Sequence, residues 1–183
     1  PAVNPVMFLV CSTIEEASDV AEILAGPDLL GDPDAVLTVT SDSPDAALDA
    51  QQSLAEASRL VPRGVICLAS ALAFHGLTDQ MPPKVWIAIG RKDWRPRLTY
   101  PPIRIARFSD ELLRRSIERK RIAGTIVPVF GVAKTVADLF RYRRTVGDAL
   151  AIEGLRQALR QSRATSAEIA REAEAAGVWA TME

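Results

Sequence analysis

Lys84-Val-Trp-Ile-Ala-Ile89 and Ile103-Arg-Ile-Ala-Arg-Phe108 are the two stretches that decide the fold class. Both are short, rich in β-branched and aromatic residues, and free of Gly and Pro inside, so each is predicted as a strand. A polar loop from Gly90 to Arg97 follows the first, and antiparallel pairing between the two is expected. Thr125-Ile-Val-Pro-Val-Phe130 predicts a third strand. Pro128 has no N–H to donate, which argues for an edge position. Toward the C-terminus, Gly131–Arg143, Gly147–Gln161 and Ser166–Ala176 carry apolar residues at helical spacing. Toward the N-terminus, Gln52–Leu60 reads as a helix broken by Pro62-Arg63-Gly64, and Val65–Phe74 as a second, mostly apolar helix. Gly76 suits a left-handed cap for it.

A different texture precedes Gln51. Val6-Met-Phe-Leu-Val-Cys11 and Ala35-Val-Leu-Thr-Val-Thr40 are apolar runs of strand length. Between them Ser12-Thr13 and the acids Glu15 and Glu16 open a helical pattern, and Ser41-Asp-Ser-Pro44 opens another. The order strand, helix, strand predicts a βαβ unit. The expected organisation is therefore a βαβ appendage at residues 1–50 and a domain at residues 51–183. The fold class is α/β (α+β), with a small, mostly antiparallel sheet flanked by several helices.

At 183 residues, 48% hydrophobic and 25% charged, the composition is that of a globular protein and not of a disordered chain. Cys11 and Cys67 sit in apolar runs without metal-ligand spacing, which suits reduced core residues and a cytoplasmic setting. No apolar stretch approaches the roughly 20 residues that cross a bilayer.

The net charge of −1 conceals a separation. Residues 1–58 hold eleven acids and no Lys or Arg, whereas residues 84–144 hold sixteen basic residues against five acids, a surplus of eleven positive charges. Such a surplus attracts polyanions or an acidic surface. Arg91, Lys92, Arg95 and Arg97 surround Trp94 in one loop. Arg114, Arg115, Arg119, Lys120 and Arg121 fall along an expected helix, and Arg141, Arg143 and Arg144 close the helix that begins near Lys134. These twelve are the candidate nucleic-acid-binding residues. The bland alternative is a solvated face balanced by acids.

No catalytic residue, metal site or cofactor is expected. Lys134-Thr135 lacks the glycines of a phosphate-binding loop, since Ala133 precedes the lysine and Pro128 stands where the first Gly belongs. A helix start with Gly131 as N-cap is the simpler reading. His75 is the only histidine, and a hydrogen bond from it to a carbonyl at the helix end is expected. Ser70 is flanked by Leu68 and Leu72, where a nucleophile elbow needs glycines.

The run from Ser53 through Val65-Ile-Cys-Leu-Ala-Ser-Ala-Leu-Ala-Phe-His75-Gly76 to Thr78 resembles the C-terminal domain of AbiEi-like antitoxins of type IV toxin–antitoxin systems. Further similarity lies in Pro82-Pro-Lys-Val-Trp86-Ile-Ala-Ile, the Tyr100-Pro-Pro segment, Val132-Ala-Lys134-Thr135-Val-Ala-Asp138-Leu-Phe-Arg-Tyr-Arg143 and the helix Ala149–Arg160. Residues 4–50 instead resemble a fragment of a restriction-type helicase RecA-like lobe, in Pro5-Val-Met-Phe-Leu-Val-Cys and Thr38-Val-Thr-Ser-Asp42-Ser. The antitoxin resemblance implies a non-enzymatic transcriptional regulator whose partner is a nucleotidyltransferase-like toxin. A winged helix that reads operator DNA precedes this domain in that family, and residues 1–50 do not match one. The implied activity is thus contact with DNA backbone at low sequence preference. The alternative is an interaction module or inactive fusion remnant whose acidic N-terminal unit covers the basic face.

Overall fold

Pro44 and the periodic stretch after Gln51 belong to one helix. The computed structural model describes residues 44–96 and 99–182, with side chains from residue 48 onward, and the expected βαβ appendage lies outside them. Helix α1 spans Pro44–Leu60 and passes residue 51 without a break. Pro44 occupies its first turn, where a missing N–H costs nothing. Leu54, Ala57 and Val61 are buried at helical spacing along one side.

The segment Val65–Phe74 is not a single helix, contrary to its apolar pattern. Val65–Ile66 form strand β1, Cys67 is extended, and helix α2 covers only Leu68–Phe74. The reason is tertiary. Val65 and Ile66 fill a slot between two longer strands, β2 (Val85–Gly90) and β5 (Thr125–Phe130), pairing antiparallel with the first and parallel with the second. A short apolar run has no periodicity that separates buried strand from buried helix. Gly64, just before β1, passes so close to β2 that a Cβ there would overlap the Ile87 side chain. Gly76 does end α2 in the left-handed region (φ +67°), with Gly76 N–H donating to the Ala73 carbonyl and Leu77 N–H to that of Leu72.

The five strands lie in the order β3-β2-β1-β5-β4, with β3 at Ile103–Phe108 and β4 at Ile117–Ile122. The α/β class and the helix-flanked sheet agree with the sequence. Three local expectations do not. β3 pairs with β2 in parallel, from Val85↔Ile103 to Gly90↔Phe108. Residues 91–102, about a dozen, are long enough to carry the chain back to the start of β2, as a parallel neighbour requires. The segment from Arg114 to Arg121 is not one helix but a short helix α3 (Asp110–Arg114), capped by Ser109, followed by edge strand β4. β5 with its proline is interior, between β1 and β4. The hairpin explains this: Ile122↔Thr125 closes the two-residue turn Ala123-Gly124, and alternation then puts Pro128 opposite Arg119 at a non-hydrogen-bonded position. No ladder bond to β4 is lost. On its other side β5 meets only the two residues of β1, at Ile66↔Val129.

One face of the sheet carries Ile66, Val85, Ile87, Ile89, Val127 and Val129 and is covered by α1 through Leu54, Ala55, Ala57 and Val61. The other carries Trp86, Ala88, Ala106, Phe108 and Phe130. It packs on α2 and on three longer helices, α4 (Val132–Arg141), α6 (Asp148–Arg160) and α7 (Ser166–Ala176), with α5 (Arg143–Val146) and α8 (Trp179–Met182) as short pieces beside them. α7 begins in a capping box in which Thr165 Oγ1 accepts from Glu168 N–H and the Glu168 carboxylate accepts from Thr165 N–H. No helix among the described residues is long and apolar enough to cross a membrane.

Candidate nucleic-acid interface

The loop after β2 is built by its polar side chains. Asp93 Oδ2 accepts from the Gly90 N–H at 2.8 Å, and its Oδ1 lies 3.7 Å from Arg63 Nη1. From the neighbouring strand, Arg107 Nη1 donates to the carbonyls of Gly90 (3.0 Å), Arg91 (2.7 Å) and Asp93 (3.0 Å). One guanidinium nitrogen therefore holds three carbonyls of the same loop. Tyr142, at the end of α4, donates its hydroxyl to the Arg107 carbonyl at 2.6 Å and packs its ring on Phe108. Among the described residues, the result is a loop whose one carboxylate is half-buried and engaged by the Gly90 N–H and Arg63, while its own cations make no such pair. Arg91, Lys92 and Arg95 are exposed, and Trp94 is 82% exposed.

Two adjoining clefts open at this loop. One, of about 310 Å³, is lined by Arg63, Lys92, Asp93, Asp110, Arg114 and apolar neighbours including Leu113 and Ile117. The other, of about 830 Å³, lies between the loop and the outer part of β3 and includes Lys92, Trp94, Arg95, Ile103, Ile105 and Arg107. The structure thus brings Lys92, Arg95 and Arg114 of the expected set together, with Arg91 beside them. Arg97 lies outside the described residues.

The remaining candidates are dispersed. Arg115 reaches Glu172 on α7, at 3.4 Å from both Nε and Nη2, and Ser116 donates to the same carboxylate at 2.7 Å. Arg119, Lys120 and Arg121 line the exposed edge strand β4, where alternate residues face opposite ways, so the helical grouping expected from the sequence does not hold. Lys120 pairs with Glu118 at 2.7 Å. Arg141 donates to the Ala176 carbonyl at the end of α7 at 2.7 Å, satisfying a helix terminus. Arg143 faces Asp148 at 3.8 Å, and Arg144 is exposed. Neither loop cleft includes any residue of these two groups.

Sequence reasoning missed Arg63 and Arg107. Arg63 lies outside the basic stretch, inside what reads as a helix breaker. Arg107 had a signal: period two places it with Ile103 and Ile105 on the face that the loop overlies.

Lys134 and Asp138 are spent inside the fold. Lys134 stands in the first turn of α4 after Gly131, is 1% exposed, and donates to Asp138 Oδ2 at 2.9 Å. Its Nζ also lies 4.4 Å from the Phe130 ring centre and 5.2 Å from that of Phe108. Burial pushes the Asp138 carboxyl up to about 6 against the pull of Lys134, and Asp138 Oδ1 has no hydrogen-bond partner. Burial likewise raises the Cys67 thiol well above its ordinary value. His75 Nε2 bonds the Phe130 carbonyl at 2.7 Å, on β5 and not at the end of its own helix, and burial lowers its imidazole. Ser70 Oγ accepts from the Trp86 N–H at 2.9 Å. His75, Ser70 and the Lys134 ammonium thus tie helices to the sheet. Among the described residues no His, Cys, Asp and Glu cluster has the arrangement of a metal site.

No family model and no curated protein matches the chain.

Proposed function

We propose that residues 51–183 form a non-enzymatic, AbiEi-like antitoxin or regulator domain that contacts nucleic-acid backbone through the basic surface around the β2–β3 loop. The observation that carries this reading is the gathering of Arg63, Lys92, Arg95 and Arg114 at two adjoining clefts that hold two acids, Asp93 and Asp110, of which Asp93 is engaged with the Gly90 N–H and Arg63. Exposed cations in one place, outnumbering the carboxylates beside them, are what phosphate contact requires. The order of segments from Ser53 to Arg160 that resembles the antitoxin family supports it, and makes a nucleotidyltransferase-like toxin the proposed functional partner.

Binding by phosphate contact alone gives little sequence preference and a steep salt dependence. With about four contacts, duplex affinity falls on the order of a hundredfold between about 50 and 200 mM salt. Replacing Lys92, Arg95 and Arg114 together with Ala is expected to flatten the slope of log K against log salt by about 3. Fluorescence anisotropy with two unrelated duplexes across that series checks both points. Absence of binding to either duplex at about 50 mM salt sinks the proposal.

A further inference from the structure

Trp94 gives this surface a second chemistry. An indole that is 82% exposed projects from a loop whose backbone is already fixed by Arg107 and Asp93. Beside it the cleft of about 830 Å³ has half-buried Ile103 and Ile105 on β3, with exposed Lys92 and Arg95 and the half-buried Asp93, held by the Gly90 N–H, also lining it. An aromatic plane and apolar side chains suit a flat heteroaromatic ring, and rim cations suit an anion attached to it. A nucleotide with its base unpaired combines those two parts. In a duplex the bases are stacked on one another and offer Trp94 no face.

Resting on the nucleic-acid reading above, we infer that the β2–β3 loop binds single-stranded nucleic acid, with an unpaired base stacked on Trp94 and its flanking phosphates held by Lys92 and Arg95. Base–aromatic stacking tolerates every base, so sequence preference is weak and the preference for unpaired over paired strands is strong. The same geometry serves DNA and RNA, because neither Trp94 nor the rim cations address the sugar.

The test uses the full chain and four probes in anisotropy at about 100 mM salt: labelled oligo-dT and oligo-rU of about 12 nucleotides, within the usual span of single-strand sites, an unlabelled poly-glutamate competitor, and a duplex of the same length. Trp94→Ala is expected to weaken oligo-dT binding on the order of 5- to 100-fold, the loss of one stacked base. Trp94→Phe keeps a ring and stays within about threefold of the parent. Duplex affinity and the salt slope stay unchanged in Trp94→Ala, because no charge is removed, and the melting temperature stays unchanged because the side chain is exposed. Comparison of oligo-rU with oligo-dT shows which strand is preferred. Equal loss on single strand and duplex, no loss on either, or displacement of oligo-dT by poly-glutamate at equal charge overturns the inference. The two proposals fail separately. Duplex binding without Trp94-dependent single-strand binding removes this one and leaves backbone contact standing. Trp94-dependent single-strand binding without duplex binding does the reverse.

Discussion

Lys134 and Asp138 show at the scale of single residues how a suggestive motif becomes an internal brace. Their ion pair is almost wholly buried, at 1% and 0% exposure, so its attraction is set against the desolvation of two charges. Removing one partner strands the other. Lys134→Ala is expected to destabilise by about 3–5 kcal/mol near neutral pH, whereas the double change Lys134→Met with Asp138→Leu is expected to be near neutral or stabilising. Urea titrations of the three chains decide this, and equal losses in the single and double variants contradict it. The pH dependence has a definite sign. The folded protein holds the Asp138 carboxyl at about 6, above its ordinary 3.8, so the protonated form is the one the fold favours. Its contribution to stability is fully present below about pH 4 and is lost as pH rises through about 6. Relative to Asp138→Asn, the parent should therefore lose stability on the order of 2–3 kcal/mol between those limits. A parent that gains stability over the same window would show that the pair's attraction dominates.

At the scale of elements, the β4–β5 hairpin holds a local conflict. Ala123 sits at φ +44° and Gly124 at φ +74° in the two-residue turn, a conformation that Gly adopts freely and Ala does not. Ala123→Asn, which tolerates that region, is expected to stabilise by about 0.5–1 kcal/mol, read as a higher midpoint in denaturant with unchanged slope. How much of the fold was legible follows from such elements. β2, β3 and β5 were legible because β-branched and aromatic residues cluster between polar turns. α7 was legible in both its bounds, for Thr165 and Gly177 supply a start and a stop. β1 was not, since its two residues become a strand only when β2 and β5 lie on either side. β4 was not legible inside the helix expected for Arg114–Arg121, because its charges conceal the alternation of a strand that has one neighbour only. The direction of β3 was not legible either: residues 91–102 permit a turn or a crossover, and the Arg107 bonds that fix the path join residues far apart in sequence. The candidate site was legible as composition. Its geometry was not, because Glu172, Asp148 and the Ala176 carbonyl, which occupy Arg115, Arg143 and Arg141, all come from later elements.

Over the whole molecule, the dependence of both sheet faces on helices sets where the chain tolerates shortening. Residues 40–183 form one compact unit, and α1 covers the face bearing Ile66, Ile87, Ile89, Val127 and Val129. A chain starting at residue 40 is expected to unfold in one cooperative transition. A chain starting at residue 61 exposes that face and is expected to lose near-ultraviolet dichroism while keeping far-ultraviolet signal. Sharp side-chain dichroism in the shorter chain would show that α1 is dispensable. The edges of the sheet differ from its faces. β4 presents Arg119, Lys120 and Arg121 along its exposed margin, and cations there discourage a second chain from adding as a sixth strand.

The Arg107 clasp has a consequence for the timing of encounters. Because three loop carbonyls are already bound by one side chain of the sheet, the backbone from Gly90 to Asp93 enters a collision in the shape it keeps afterwards. In the binding proposed above, capture requires no ordering of that segment, and its entropy is charged to folding instead of to association. Arrival should be governed by long-range attraction, with on-rates that fall as ions are added and show no slow, concentration-independent phase. In Arg107→Ala the same loop would have to settle after contact, and that slow phase would appear.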